Sequence, residues 1–228
     1  MASPTVAGRA TFQETSNSTS HAISFDTSAT AGQLLVVFAV VDTFTSWTPP
    51  TGYTELLDEA PPFGNRFTLG VFYKTAAGGE TAATATSAAS VRGGLVAYRI
   101  TSNDPPTWTS GTGVSNFTSN PDPPNCTCTS GDGLAFAITT YDGSVIRTVT
   151  GAPSGYSNLQ AVAPDSTSSA GIGVAEKALS SVSSENPGTF TLDGGQDTWA
   201  QTVILQQAAG GGGGSYYNPK TLLGTGTS

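Results

Sequence analysis

The chain has 228 residues and a net charge of −8, with eight basic against sixteen acidic residues. Charged residues make up 11% while Gly, Ser, Thr and Ala abound, a composition of turn-rich β structure rather than of helices, whose exposed faces need Lys, Glu and Arg. So few cations argue against nucleic-acid binding, which displaces counterions with Lys and Arg, and no apolar run is long enough for a membrane span.

From the N-terminus, Ala2 to Phe12 reads as a strand or an exchanged arm. It lacks the basic and apolar regions of a signal peptide, so the protein is expected to be made in the cytosol and to stay there or leave by lysis or in a particle. His21 lies in a Ser/Thr-rich stretch before a strand, where a surface position is expected. Leu34 to Val41 is a continuous apolar run of strand length, fit for burial on both faces. Phe67 to Lys74 alternates with period two, and Leu95 to Ile100, Leu134 to Ile138, Ile172 to Ala175 and Trp199 to Leu205 behave similarly. Thr81 to Thr86 and Thr189 to Leu192 read as outer or edge strands, since Thr suits the pleat without needing a core. Clusters such as WTPPTG, NPDPPN, GAPSG and SENPG punctuate these strands as turns.

The chain repeats itself. Leu34, Val36, Phe38 and Asp42 correspond to Leu134, Phe136, Ile138 and Asp142. Gly52 and Tyr53 correspond to Gly155 and Tyr156, Leu69-Gly70-Val71 to Ile172-Gly173-Val174, Lys74 to Lys177, and Glu80 to Glu185. The period is too long and too rarely repeated for a solenoid. The expected fold is all-β, an antiparallel jelly-roll-like β-sandwich spanning 1–207, built from a duplicated half-domain with half-repeats at about 20–101 and 122–206. Neither half is expected to bury both faces alone, so two sheets should pack face to face.

After Gln207 the composition changes. Residues 208–228 form a Gly-rich linker and a short tag whose Tyr216, Tyr217, Leu222 and Leu223 are candidate anchors for docking on a partner.

Chemistry is sparse. His21 is the lone histidine, so any Ser-His-Asp arrangement would need it. Cys126 and Cys128, two apart on a strand, are spaced too widely for an unstrained disulfide. They align with Ile23 and Phe25 and read as small inward-facing thiols. Asp42, Glu55, Asp58, Glu59, Glu80, Asp142, Glu176 and Glu185 could supply a glycosidase pair, but most fall beside turns. Neither catalytic residues nor a metal or cofactor is expected.

Gly32-Gln33-Leu34-Leu35, Pro50-Thr51-Gly52-Tyr53, the set Tyr73, Lys74, Ala76, Gly79 and Glu80, Tyr98-Arg99-Ile100, Pro121-Asp122-Pro123-Pro124 and Trp199 together resemble a group of tailed-bacteriophage virion structural proteins. The resemblance covers roughly 1–207 and implies a particle component, without transferring catalytic residues. The expectation is a non-enzymatic capsid decoration or cement protein in the virion. The N-terminal segment and the Tyr216 to Leu223 tag would lash it to a major capsid or tail protein. A homo-oligomer is expected, with a trimer as its stoichiometry. The alternative is a tail-fibre or receptor-binding head, in which exposed Trp47, Tyr53, Trp108 and Tyr156 would stack on carbohydrate. A polysaccharide-degrading enzyme stands third.

Overall fold

The computed structural model describes residues 3–61, 67–101 and 106–207. Tyr216, Tyr217, Leu222 and Leu223 lie outside the described residues. Among those described, all regular structure is strand. The first half contains β1 (Thr5–Gln13), β2 (Ser18–Ser24), β3 (Leu34–Val41), β4 (Trp47–Thr48), β5 (Thr54–Glu59), β6 (Thr68–Thr75), β7 (Ala82–Val91) and β8 (Gly93–Thr101). The second contains β9 (Pro106–Ser110), β10 (Val114–Thr118), β11 (Cys126–Asp142), β12 (Val149–Gly151), β13 (Ser157–Val162), β14 (Ala170–Glu185), β15 (Thr191–Leu192) and β16 (Gln196–Gln207).

The fold is an all-β antiparallel sandwich. One large sheet has the order β1-β8-β3-β6-β5 and the other β10-β16-β11-β14-β13, with β9 also paired to β16. Place for place the order recurs, and the register follows the sequence repeat residue by residue. Phe38 faces Val71 as Ile138 faces Val174, and Leu34 faces Ile100 as Leu134 faces Leu205. Irregularities recur too, between Glu55 and Leu57 against β6 and between Ser157 and Gln160 against β14.

The inner faces of the two large sheets form one core. Leu34, Val36, Phe38 and Val40 meet Leu134, Phe136, Ile138, Ile172 and Val203 there. At its centre the Phe38 ring lies 5.8 Å from Tyr98 and 5.3 Å from Phe136, and Tyr98 lies 5.0 Å from Phe136. These tilted and edge-on contacts add to area burial.

The two large sheets pack face to face as expected, and smaller sheets add an outer layer. The outer face of the first large sheet is covered by a sheet ordered β2-β7-β4, with Leu35, Val37, Ala39 and Phe72 packed against Ile23, Ala83, Ala85 and Trp47. On the second, Ala135, Ala137, Ala175 and Ile204 pack beneath Val149, Phe190 and Leu192 around the β12–β15 pair. Both faces of each large sheet are therefore covered at the central strands, which is why β3 is apolar at every position. The Thr-rich segments expected as outer or edge strands lie in this covering layer, in β7 and β15, and the inward positions of β7 are small, Ala83, Ala85 and Ser87 alternating with Thr.

Of the two readings of the N-terminal segment, the structure has the strand. β1 pairs along its length with β8 of its own sheet, from Thr5 opposite Thr101 to Gln13 opposite Gly94. It also flanks β13 of the other sheet, and Arg9 holds Glu176 in a two-pronged ion pair, its Nε donating at 3.0 Å. It is thus part of the sandwich rather than a lashing.

A core shared by both halves predicts one cooperative transition. Phe38→Ala and Phe136→Ala should each cost about 3–5 kcal/mol in urea unfolding while preserving a single transition. Two separated transitions would show that the halves fold independently.

Candidate functional site

The residues expected to carry sugar stacking are not exposed, and the structure does not bring them together. Trp47 on β4 is buried, its ring 5.9 Å from Phe72 and 5.1 Å from His21. Trp108 on β9 is half-buried, 5.2 Å from Tyr73 where the sheets meet. Tyr53 is half-buried and Tyr156 buried, in the outer layers of opposite halves. Their positions beside Pro and Gly turns suggested exposure, but the turns fold back over the large sheets.

Tyr53 and Tyr156 instead belong to one arrangement built twice. Each follows a turn whose glycine, Gly52 or Gly155, has φ of 78° or 79°, with the tyrosine N–H donating to the carbonyl of Pro50 at 2.9 Å or Pro153 at 3.0 Å. That left-handed glycine is what a type II turn requires at its third position. Lys74 Nζ then lies 5.5 Å from the Tyr53 ring centroid and 2.9 Å from Glu80, while Lys177 Nζ lies 5.7 Å from Tyr156 and 2.8 Å from Glu185. Each ammonium binds a carboxylate while resting on a ring, so the clamp fastens a turn to a neighbouring strand. Glu80 also accepts from the N–H groups of Ala77 at 2.8 Å and Gly78 at 2.9 Å. The Lys74 contact and these N–H groups hold its carboxyl at about 2, from an ordinary 4.5.

The copies differ in one respect. Tyr156 Oη donates to Glu185 at 3.4 Å, whereas Tyr53 Oη is enclosed and makes no hydrogen bond. A cavity of about 230 Å³ beside the first clamp is lined by Pro50, Thr51, Tyr53, Lys74, Ala83 and Thr84. The lysine in it is already engaged, and no nucleophile faces a base there.

The least expected cluster surrounds His21, which is fully buried rather than at the surface. Its Nδ1 lies 2.8 Å from both carboxylate oxygens of Glu14 and its Nε2 lies 2.7 Å from Ser87 Oγ. Ser-His-Glu in a line resembles hydrolase machinery. Ser87 Oγ also has the Ala89 carbonyl as an acceptor at 2.7 Å, which competes with the ring for its one hydrogen. Ser87 is also buried, with Trp47 against the imidazole. Glu14 further accepts from Gly93 N–H at 3.1 Å. The cluster therefore ties the β1–β2 connection to β7 and the start of β8. Sequence reading missed it because Glu14 and Ser87 lie 7 and 66 residues away from His21; no local spacing announces the group.

Four of the eight carboxylates considered for glycoside cleavage are engaged in ion pairs or a turn. Glu176 holds Arg9 and accepts from Asn158 at 2.8 Å, Glu80 and Glu185 hold lysines, and Asp142 accepts from Ser144 N–H at 2.9 Å, as a turn former does. Cys126 is buried and Cys128 half-buried, both as free thiols, and burial raises both above the ordinary thiol range. That disfavours the reactive thiolate. Among the described residues, no three His, Cys, Asp or Glu side chains gather as a metal site would need.

Two outcomes follow. Because the Glu80 carboxyl is depressed on folding, its stabilisation is present above its unfolded value near 4.5 and fades as pH falls toward about 2. Glu80→Gln should therefore flatten the loss of stability in that window, read as melting temperature against pH. His21→Ala should cost about 3–5 kcal/mol by leaving Glu14 buried without its partner, whereas an exposed histidine would cost almost nothing. No protein-family model, curated protein or solved structure matches this chain.

Proposed function

We propose that this chain is a non-enzymatic structural component of a tailed-bacteriophage particle, a decoration or cement protein that stabilises the particle through subunit contacts. The observation that carries the reading is a set of large apolar side chains left in solvent: Phe12, Phe44, Val114, Phe117, Val145 and Ile146. Phe44 follows β3 and Val145 and Ile146 follow β11, so they occupy the corresponding loop of each half. Phe117 is 70% exposed although it sits on a regular strand. Apolar groups of this size in solvent mark contact surfaces more often than reaction sites. The resemblance to virion structural proteins supports the same role, and its residues have structural duties: Pro50 to Tyr53, Lys74 and Glu80 build the first clamp.

Arg99, also among those residues, grips Asp26 through Nε at 2.8 Å and the second guanidinium nitrogen at 2.9 Å, bracing the outer face of the sheet. The sugar-binding alternative draws no support from its four aromatics, which are buried or half-buried. Other virion proteins and copies of this chain are the proposed partners, with residues 208–228 as the tether.

The test is localisation on purified particles by labelled-antibody electron microscopy, together with deletion of 208–228. Regular decoration of capsid or tail by the full chain, and incorporation at least about tenfold lower after deletion, is expected if multivalent contact holds it there. Absence from particles would overturn the role, and undiminished incorporation of the truncated chain would remove the tether from it.

A further inference from the structure

The repeat breaks at one loop. Between Asp142 and Gly155 the second half is three residues longer than the first half is between Asp42 and Gly52. The scaffold does not require the addition, since the first half makes the same passage without it. In the second half this stretch carries Val145 and Ile146, both exposed, and then Arg147. Five of the six lysines and arginines among the described residues hold a carboxylate, and Arg147 is the one that holds none. It is nonetheless held in place. A Cβ at Gly194 would collide with its guanidinium, so the glycine lets that group lie against the turn between β15 and β16, with Nε enclosed. Loop and turn brace each other. Asp193 N–H donates to the Thr148 carbonyl and Thr148 N–H to Asp193 Oδ1, both at 3.1 Å. Gln196 donates to the Asp142 carbonyl and, at 2.9 Å, to Ser144 Oγ. Gly195, next along the turn, stands against the Phe117 ring, which is 70% exposed.

We propose that the surface of Arg147, Val145, Ile146 and Phe117 docks a segment of another protein in which carboxylates alternate with large apolar side chains. The inference rests on the reading of this chain as a component held by protein contacts, and it names the partner's chemistry at one of them. Charge complementarity selects the occupant. A guanidinium presents paired N–H donors that match a carboxylate in one plane. The apolar groups beside it reward a partner that brings its own, and arginine with aromatic residues is what protein interfaces concentrate. Because Gly194 already places the guanidinium, little side-chain freedom remains to be lost on binding. Other occupants fit less well. Residues 208–228 contain one Lys and neither Asp nor Glu, so the chain's own tail brings the wrong sign. A nucleic-acid backbone needs several cations, and this surface has one among the described residues. A second copy in twofold contact would set one Arg147 against the other.

The probe is a fluorescein-labelled peptide, Gly-Phe-Asp-Leu-Asp-Phe-Gly, with Gly-Phe-Asn-Leu-Asn-Phe-Gly as its uncharged counterpart. Fluorescence anisotropy with the full 228-residue chain at low salt should show saturable binding of the acidic peptide. Arg147→Gln should weaken it roughly tenfold, and so should the uncharged peptide, the loss expected of one charge-assisted contact. The two losses should not add, because they remove the same pair. Phe117→Ser should weaken binding as well, whereas Glu55→Gln on β5 should leave it unchanged. Circular dichroism of each variant separates lost binding from lost folding. Absence of saturable binding would overturn the proposal, as would equal binding by the uncharged peptide or by a folded Arg147→Gln variant. Displacement of the peptide by equimolar inorganic phosphate would reduce the surface to a bare anion site, and a dimer dissolved by Arg147→Gln would make a second copy the occupant; either result overturns it. Failed peptide binding by a chain still found on particles removes this surface alone. Saturable binding by a chain absent from particles keeps the surface and removes the particle role.

Discussion

Everything in this protein hangs on the contact between the inner faces of its two large sheets. Phe38, Tyr98 and Phe136 sit at its centre, fully buried and drawn from both halves. Each half alone would expose that face to water, and an apolar surface of this size does not survive there. The second constraint follows from the first. A strand such as β3, apolar on both sides, needs cover on its far side too, and the small outer sheets supply it. The clamps of Tyr53, Lys74 and Glu80 and of Tyr156, Lys177 and Glu185 hold turns against those outer layers. Their repetition in both halves, down to the turn glycine and the lysine on its ring, fits a part in the scaffold.

Polar groups in the interior serve the same end. The seam on the β1 side is stitched by Arg9 with Glu176 and by Gln13, whose amide donates to the carbonyls of Glu14 at 2.9 Å and Gly93 at 3.2 Å and to Ser169 of the second half at 3.0 Å. His21, Glu14 and Ser87 form a comparable knot one layer further out. A polar cluster like this is costly unless every member is satisfied, and once satisfied it fixes one arrangement of the chain around it. The Ser-His-Glu line is also what packing demands, since it leaves each polar atom of His21 with a partner.

The sequence announces the large sheets plainly. Leu34 to Val41 and its counterpart from Leu134 are long apolar runs, and the Pro-x-Gly-Tyr turns recur in order, so the register of one half could be laid on the other. What it conceals has physical causes. β9 and β10 are short, rich in Thr and Ser, and interrupted by Gly111 and Gly113, so no period stands out. The outer strand of the first half is legible in its threonines, but the depth of its inward side is not, since the buried Ala83 and Ala85 carry little apolar signal. Trp47 and Tyr53 were misjudged because a turn near in sequence says nothing of the layer it folds against. The partners of His21 are distant along the chain, beyond the reach of any spacing rule.

The shared core also sets a clock on biosynthesis. β8, which ends at Thr101, completes the first large sheet, yet the strand bringing Val203 and Leu205 to its inner face ends at Gln207. Ribosomes add roughly 5–20 residues per second, so on the order of ten seconds separate the two events. Through that interval the row from Leu34 to Val40 waits on the nascent chain without its lid. The first half therefore leaves the ribosome with an apolar face that its own strands cannot cover, and only synthesis of the second half closes it.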